Sequence, residues 1–261
     1  MIRNFLFHRV NPKRDALWDP MDVALFDHCI AYITKHYYVV QLEELLAYPK
    51  LHTREKFATI VFDDGYKDNL EYAAPILDKY KCKASFYVVT GCIDNNVPTW
   101  THILEHGFAT THATGINLDF NFLPVPMRAA KFSNAKARHD CVKKLKPLLK
   151  KLKHEQRNAV LEKIRTDFAD VELPELMMSW HEVGQLKAAG HYIGSHTRSH
   201  CMLGTMSDPA EIKDELLGSG KRIEQMLGHF PTTISYPLGS YNDSTIQLSI
   251  DCGYKYGLAV K

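Results

Sequence analysis

None of the six cysteines, at positions 29, 82, 92, 141, 201 and 252, is spaced as C-x-x-C. That absence speaks against a zinc knuckle or a disulfide scaffold and leaves reduced, mostly buried thiols. No apolar run approaches the roughly 18 residues of a membrane span, so none is expected. The opening MIRNFLFHRV holds too short an apolar run to be the centre of a signal peptide, so a cytoplasmic protein is the default expectation. A net charge of only +2 offers no global argument for nucleic acid or a membrane surface. Internal repeats and low-complexity linkers are missing too. What remains is an ordinary globular composition, 45% hydrophobic and 24% charged over 261 residues. That is long for one compact domain but within reach of a single α/β barrel.

Strand-like and helix-like segments alternate. Runs 2–7, 37–40, 57–62, 84–89, 192–195 and 233–236 are short and rich in β-branched or aromatic residues. Between them, 21–35 carries Val23, Phe26, Ile30 and Ile33 at helical spacing, and 210–227 and 243–252 also read as helices. An Asp68-x-x-Glu71 box is expected to open a helix over 68–79. Ser179 with Glu182 is expected to open another that stops near Gly190. Such alternation predicts a mainly parallel sheet, either open or closed into a barrel.

One stretch, about 100–178, breaks the rhythm and reads as a helical insertion rather than a domain of its own. Within it, 136–153 is a basic helical segment with an apolar stripe of Val142, Leu145, Leu149 and Leu152, and Pro147 is a candidate kink. Its lysine excess reads first as a solvated face. Peripheral contact with an anionic lipid or glycan is the alternative.

Chemistry concentrates in three places. In Thr59-Ile60-Val61-Phe62-Asp63-Asp64-Gly65, two carboxylates sit where an apolar strand ends and a glycine turns the chain. Active sites of parallel α/β folds gather at such ends. Adjacent carboxylates repel, so such a pair needs a cation nearby, or one pKa rises. Taken alone, it is equally an Asp-Gly turn. The second place is Gly194-Ser195-His196-Thr197-Arg198-Ser199-His200. Histidines four apart are expected on one face of a helical turn, where they can share one ion. Two histidines and a carboxylate with open positions are typical of catalytic zinc. His102 and His106 have the same spacing but no double carboxylate, and read as packing or surface residues. His28, His36, His181 and His191 read likewise, and Cys201 reads as buried packing. Third is Ile234-Ser235-Tyr236-Pro237-Leu238-Gly239, a strand running into a turn that can aim backbone N–H groups into a cleft.

Together, T-I-V-F-D-D-G, H-T-R-S-H and S-Y-P-L-G, in this order and spacing, resemble carbohydrate esterase family 4, the polysaccharide deacetylases of the NodB homology type. Residues 179–195 and 252–259 extend the resemblance, which spans most of the chain outside the insertion. It implies a distorted (β/α)7-like barrel over 1–261, acting on N-acetylated amino sugars of a polysaccharide or glycan precursor. It further implies Asp64, His196 and His200 as ligands of a divalent metal, foremost Zn, with Co or Ni as alternatives. Asp63 would be the general base, and the Leu238 backbone N–H would be an oxyanion donor. Two departures stand out. Where many members carry an arginine that orients the base, Ser235 or Tyr236 stands here, with Arg9 and Arg198 as candidate replacements. The Leu-x-His motif that supplies the general acid is missing near the C-terminus, but Phe7-His8-Arg9-Val10 ends the first strand. This resembles the circularly permuted branch, as in poly-N-acetylglucosamine deacetylases, with His8 as the acid. The alternatives are a barrel hydrolase of non-sugar amides or cyclic imides, or a glycan-binding pseudoenzyme.

Overall fold

A computed structural model describes residues 2–15, 17–47 and 56–260. Its central feature is a parallel sheet of seven strands: β1 (Ile2–Phe7), β2 (Tyr38–Val39), β3 (Phe57–Phe62), β4 (Ser85–Val88), β7 (Tyr192–Ser195), β8 (Thr233–Ser235) and β9 (Tyr256–Leu258). The order is β1-β3-β4-β7-β8-β9, with β2 paired to the start of β3. Every residue of β3 is buried, as a strand covered on both faces requires, and its run FATIVF carries the continuous apolar pattern of such strands. Ala58, Ile60 and Phe62 face outward into the main hydrophobic core, with Phe26, Ile30 and Ile33 of α1 (Val23–His36) packed over them.

The opposite face of the sheet curls around an interior. Glu43, on the short helix α2 (Leu42–Ala47), accepts hydrogen bonds from Ser85 Oγ (2.5 Å), Tyr87 OH (2.7 Å) and Thr233 Oγ1 (2.7 Å). It thereby bridges β4 and β8 from inside. The curl leaves the barrel open, since β1 and β9 both end the sheet order. A cavity of about 650 Å³ lies between them, lined among others by Asn4, Leu6, Leu258 and Asp63. The alternation of elements implied a parallel sheet, open or closed, and the sheet matches the distorted (β/α)7-like barrel that the resemblance implied.

Between β4 and β7 lie α4 (Thr90–Asn95), α5 (Trp100–Thr110), an antiparallel pair β5 (Gly115–Asn117) and β6 (Ala129–Lys131), α6 (Ala135–Leu149) and α7 (His154–Asp167). Segment 100–178 is thus mainly helical as expected, but it holds a small sheet the sequence pattern missed. Its strands are only three residues long and carry no β-rich run. Val142, Leu145 and Leu149 are buried in a cluster of their own, with Leu152 packed against it. Pro147 stands inside α6. Of the lysine-rich face, Lys146 pairs with Glu105 at 2.7 Å. No helix among the described residues is long and apolar enough to cross a membrane.

The remaining helices are α3 (Ala74–Lys79), α8 (Trp180–Ala188), α9 (Pro209–Leu227) and α10 (Asp243–Asp251). The Ser179–Glu182 capping box forms as the sequence predicts. The Asp68–Glu71 box does not. Asp68 is already helical in backbone and caps nothing, and a π-helical turn (Asn69–Ala73) precedes α3. Its carboxylate is drawn away by buried Arg9, whose Nε lies 2.9 Å from Oδ2. A buried guanidinium left without a partner would cost far more than a cap contributes.

His191, buried ahead of β7, accepts the Ala84 N–H on Nδ1 at 3.1 Å. Burial, with Lys83 nearby, lowers its pKa to about 4. The folded chain therefore binds fewer protons here than the unfolded chain as pH falls below about 6.5, the ordinary imidazole value. Stability contributed by neutral His191 is complete above that pH and is lost as pH falls toward 4, on the order of 3 kcal/mol. Urea midpoints should drop across this window. His191→Asn, which keeps an acceptor toward Ala84 but does not titrate, should flatten the drop.

Candidate metal centre and catalytic site

The C-terminal ends of β3, β7 and β8 converge on one buried polar cluster. Asp63 and Asp64 follow β3. The Asp63 N–H continues the β1 ladder by donating to Phe7 O (3.1 Å), and Val89 N–H donates to Asp64 O (3.3 Å). Asp64 (φ 78°) and Gly65 (φ 90°) then turn the chain sharply in the left-handed region. A side chain at Gly65 would also crowd Val88 and Ile93 at 3.1–3.3 Å, so both conformation and space demand glycine there.

His196 ends β7, its N–H bonded to Val88 O at 2.9 Å. Its Nδ1 lies 2.7 Å from Ser235 O, which assigns the proton to Nδ1 and leaves Nε2 as a lone-pair donor. Nε2 stands 3.4 Å from Asp64 Oδ1, and His200 Nε2 stands 3.3 Å from the same oxygen. The histidines do not meet on a helical turn, as their spacing suggested. Residues 196–200 form an irregular loop in which Thr197 (φ 66°) and His200 (φ 59°) are left-handed. Each such non-glycine residue costs on the order of 1 kcal/mol or more. The loop rather than a helix brings the rings to a centroid separation of 5.1 Å. Gly91 lets α4 approach this loop, because a Cβ there would sit 2.6 Å from Arg198 O.

Asp63, Asp64, His196 and His200 are at most 5% exposed. Among the described residues Asp64 Oδ1 has no hydrogen-bond partner, although a buried carboxylate oxygen is costly to leave so. The three ligand atoms of Asp64, His196 and His200 all lie within 4.8 Å of one another. One carboxylate oxygen and two imidazole nitrogens form a set suited to Zn²⁺, Co²⁺ or Ni²⁺, so these residues fit such an ion. Burial alone would raise the Asp64 pKa, but His200 and His196 outweigh it and hold it well below the usual carboxylate range. Burial would lower His196, yet Asp63 and Asp64 bring it above the ordinary imidazole value. At His200 burial wins, and its pKa falls.

Asp63 Oδ2 accepts from Ser235 Oγ at 3.0 Å and lies 3.9 Å from His196 Nε2. Its Oδ1 has no hydrogen-bond partner among the described residues. Neither candidate arginine reaches it: Arg9 pairs with Asp68, and Arg198 with Asp214 in an exposed bridge. The residue that holds Asp63 is Ser235 itself. Its signal was its place two residues after Thr233, which puts both side chains on the inner face of β8. Leu238 stands in the turn after β8 with φ 54°, and Gly239 beside it has φ 66°. His8 directly follows β1, whose Phe7 pairs in register with Phe62 beside Asp63. Its ring packs edge-on against Trp18 at 5.9 Å, and its carbonyl accepts from Asn69 Nδ2 at 2.7 Å. The structure thus brings four of the six candidates into direct contact and sets His8 and Leu238 on flanking strand ends.

The residues set aside behave as packing. His102 is buried against Trp18 and Tyr66, and burial with nearby Arg9 lowers its pKa to about 4. His106 contacts Glu172 O. Burial pushes the Cys201 thiol up to about 12, which suits a buried, unreactive side chain.

The model of the polysaccharide deacetylase family matches residues 50–119 and 125–257. The chain belongs to that family. A curated relative, the Bacillus subtilis (strain 168) protein YxkH, is named for the same family. It is 21% identical over 207 residues, 79% of this chain but 46% of its own length. The chain therefore spans about half of that deacetylase relative. Among solved structures, the Streptococcus pyogenes deacetylase PplD, in complex with acetate, superposes with a TM-score of 0.63 at 18% identity, over 99% of this chain and 83% of the other. A de-N-acetylase from Aggregatibacter actinomycetemcomitans gives 0.63 at 16% identity, over 99% and 87%. At these identities the likeness is one of fold, and it matches the open parallel barrel.

In metal-free protein, an NMR titration of the imidazole nitrogens should separate the two histidines. His196 should titrate above the ordinary value of about 6.5 and His200 below it, and Asp64→Asn should bring His196 down.

Proposed function

We propose that the chain is a metal-dependent N-deacetylase of glycans, with the buried cluster of Asp63, Asp64, His196 and His200 as its active site. What supports this most is the division of labour between adjacent carboxylates. Asp64 Oδ1 faces both imidazole Nε2 atoms, while Asp63 is tied to Ser235 through one oxygen and keeps the other free. Asp64, His196 and His200 would hold the ion. When bound, it would lower the pKa of water and polarise a carbonyl oxygen.

Asp63 Oδ1 then takes a proton from the attacking water, which adds to the acetamide carbonyl carbon. Ser235 keeps the carboxylate from rotating away by holding Oδ2, the work an arginine does in many relatives. The Leu238 N–H, turned by its left-handed backbone, donates to the developing oxyanion. The C–N bond breaks and the leaving nitrogen receives a proton from His8, giving acetate and a free amine on the sugar. In support of this role, His8 directly follows β1 beside the strand that leads into Asp63, with its carbonyl held by Asn69 and its ring against Trp18. The presence of base, ligands and Ser235 together favours turnover over a glycan-binding role without catalysis.

Acetate release from N-acetylglucosamine oligomers tests this reading. Chelation should abolish activity, and added Zn²⁺ or Co²⁺ should restore it. Asp63→Asn should lower kcat/KM by about 10²- to 10⁴-fold, and Ser235→Ala by about tenfold, as befits one lost hydrogen bond to a charged group. The reading fails if no acylated sugar yields acetate, or if Asp63→Asn matches the wild type. Release from small amides but not from sugars would instead support a non-sugar amide hydrolase.

A further inference from the structure

The loop between His196 and His200 is held by a carboxylate that no part of the proposed chemistry uses. Glu215 sits on α9 and is 8% exposed. It falls among Ile212, Leu216, Ser219 and Ile223 on the buried stripe of that helix, where an acid is out of place unless it has polar partners. It has three. Oε2 accepts the backbone N–H of Arg198 (3.0 Å) and of Ser199 (2.9 Å), and Oε1 accepts the Ser199 hydroxyl (2.6 Å).

The other side of the loop is held as well. Thr90 N–H donates to Thr197 O at 3.2 Å, and Gly91 N–H donates to Arg198 O at 2.7 Å. These contacts fall on the same two peptide units. Peptide 197–198 has its carbonyl on Thr90 and its N–H on Glu215, and peptide 198–199 has its carbonyl on Gly91 and its N–H on Glu215. Each plane is pinned at both ends. Planes pinned at both ends resist flipping, so the left-handed backbone at Thr197 persists despite its strain and the chain runs on to His200 from fixed planes. The consequence falls on His200, whose Nε2 faces the same oxygen, Asp64 Oδ1, as His196 Nε2.

We infer that Glu215 is a positioning residue for the metal centre: by accepting both N–H groups of the inter-histidine loop, it sets the His196–His200 separation that an ion needs. This rests on the proposed metal-binding role of Asp64, His196 and His200. Groups that orient metal ligands typically contribute 10- to 100-fold to affinity, and Glu215 does so through the backbone rather than through an imidazole nitrogen.

The test measures Zn²⁺ affinity of metal-free protein by chelator competition, with the visible absorption of bound Co²⁺ as a readout of coordination geometry. Glu215→Ala should weaken Zn²⁺ binding by about tenfold or more and alter the Co²⁺ spectrum. Glu215→Asp, one methylene shorter, should fall between Ala and wild type. Glu215→Gln keeps a carbonyl acceptor for both N–H groups and should stay within about threefold of wild type. Asp214→Asn, next door on the exposed Arg198 bridge, should change nothing. Wild-type affinity and spectrum in the Ala and Asp variants, even with a lowered melting temperature, would make Glu215 merely structural and overturn the inference. Should the Ala variant not fold, the Asp variant decides alone by the same criterion. A wild type that takes up no Zn²⁺ overturns the metal reading and this inference with it, whereas a wild type that binds beside unaffected variants removes only the role of Glu215.

Discussion

Two carboxylates in sequence, both buried at the end of a strand with no exposed residue, are the constraint from which the rest of this structure follows. Each must be given a different electrostatic partner or the pair would repel itself out of the interior. Asp64 is met by two imidazoles and Asp63 by a hydroxyl. Those partners come from β7, the loop beyond it and β8, so burying the pair obliges three strand ends to converge. The left-handed backbone at Asp64, Thr197, His200 and Leu238 shows where that convergence is costly. All four lie within or beside the cluster, and the surrounding hydrogen bonds hold them there.

Much of this was legible in the sequence because the signals were local. The β3 run FATIVF, the Asp-Asp-Gly that ends it and the Ser179–Glu182 cap each depend on a few neighbouring residues. The parallel architecture and the candidates Asp63, Asp64, His196 and His200 were readable from such local motifs and the family resemblance they carry. Long-range competition was not legible. Asp68 has the spacing of a cap, and only the fold shows that a buried Arg9, 59 residues earlier, takes its carboxylate instead. The histidine pair misled in a subtler way. A separation of four residues is the helical spacing, and the same separation is reached here by a strained loop that no periodicity encodes. Ser235 was visible as a departure from the family pattern, but its contact with Asp63 was not, since only the fold brings its hydroxyl to 3.0 Å from the carboxylate. Glu215 left a fainter mark, an acid on an otherwise apolar helix stripe.

The helical segment inserted between β4 and β7 builds its own hydrophobic cluster yet touches the site's surroundings. α5 carries His102 against Trp18, which in turn carries the ring of His8. The rim of the site is therefore shared between the barrel and the insertion, while its floor belongs to the barrel alone. That division suits a fold in which one chemistry is kept while the contacts around it vary.

The bridge made by Glu43 has a mechanical meaning for a barrel that does not close. A closed barrel keeps its radius because every strand is hydrogen-bonded on both sides; here β1 and β9 are not joined to each other. Glu43 acts as a tie-rod across the inside of the curl, spanning from β4 over β7 to β8. It stands near the entry of β8, at the opposite end of the strands from the polar cluster. Strands behave as stiff staves, so a tie at one end sets their splay at the other. The fine spacing between Asp63, His196 and Ser235 is thus governed partly from two residues down β8, by a side chain that touches none of them.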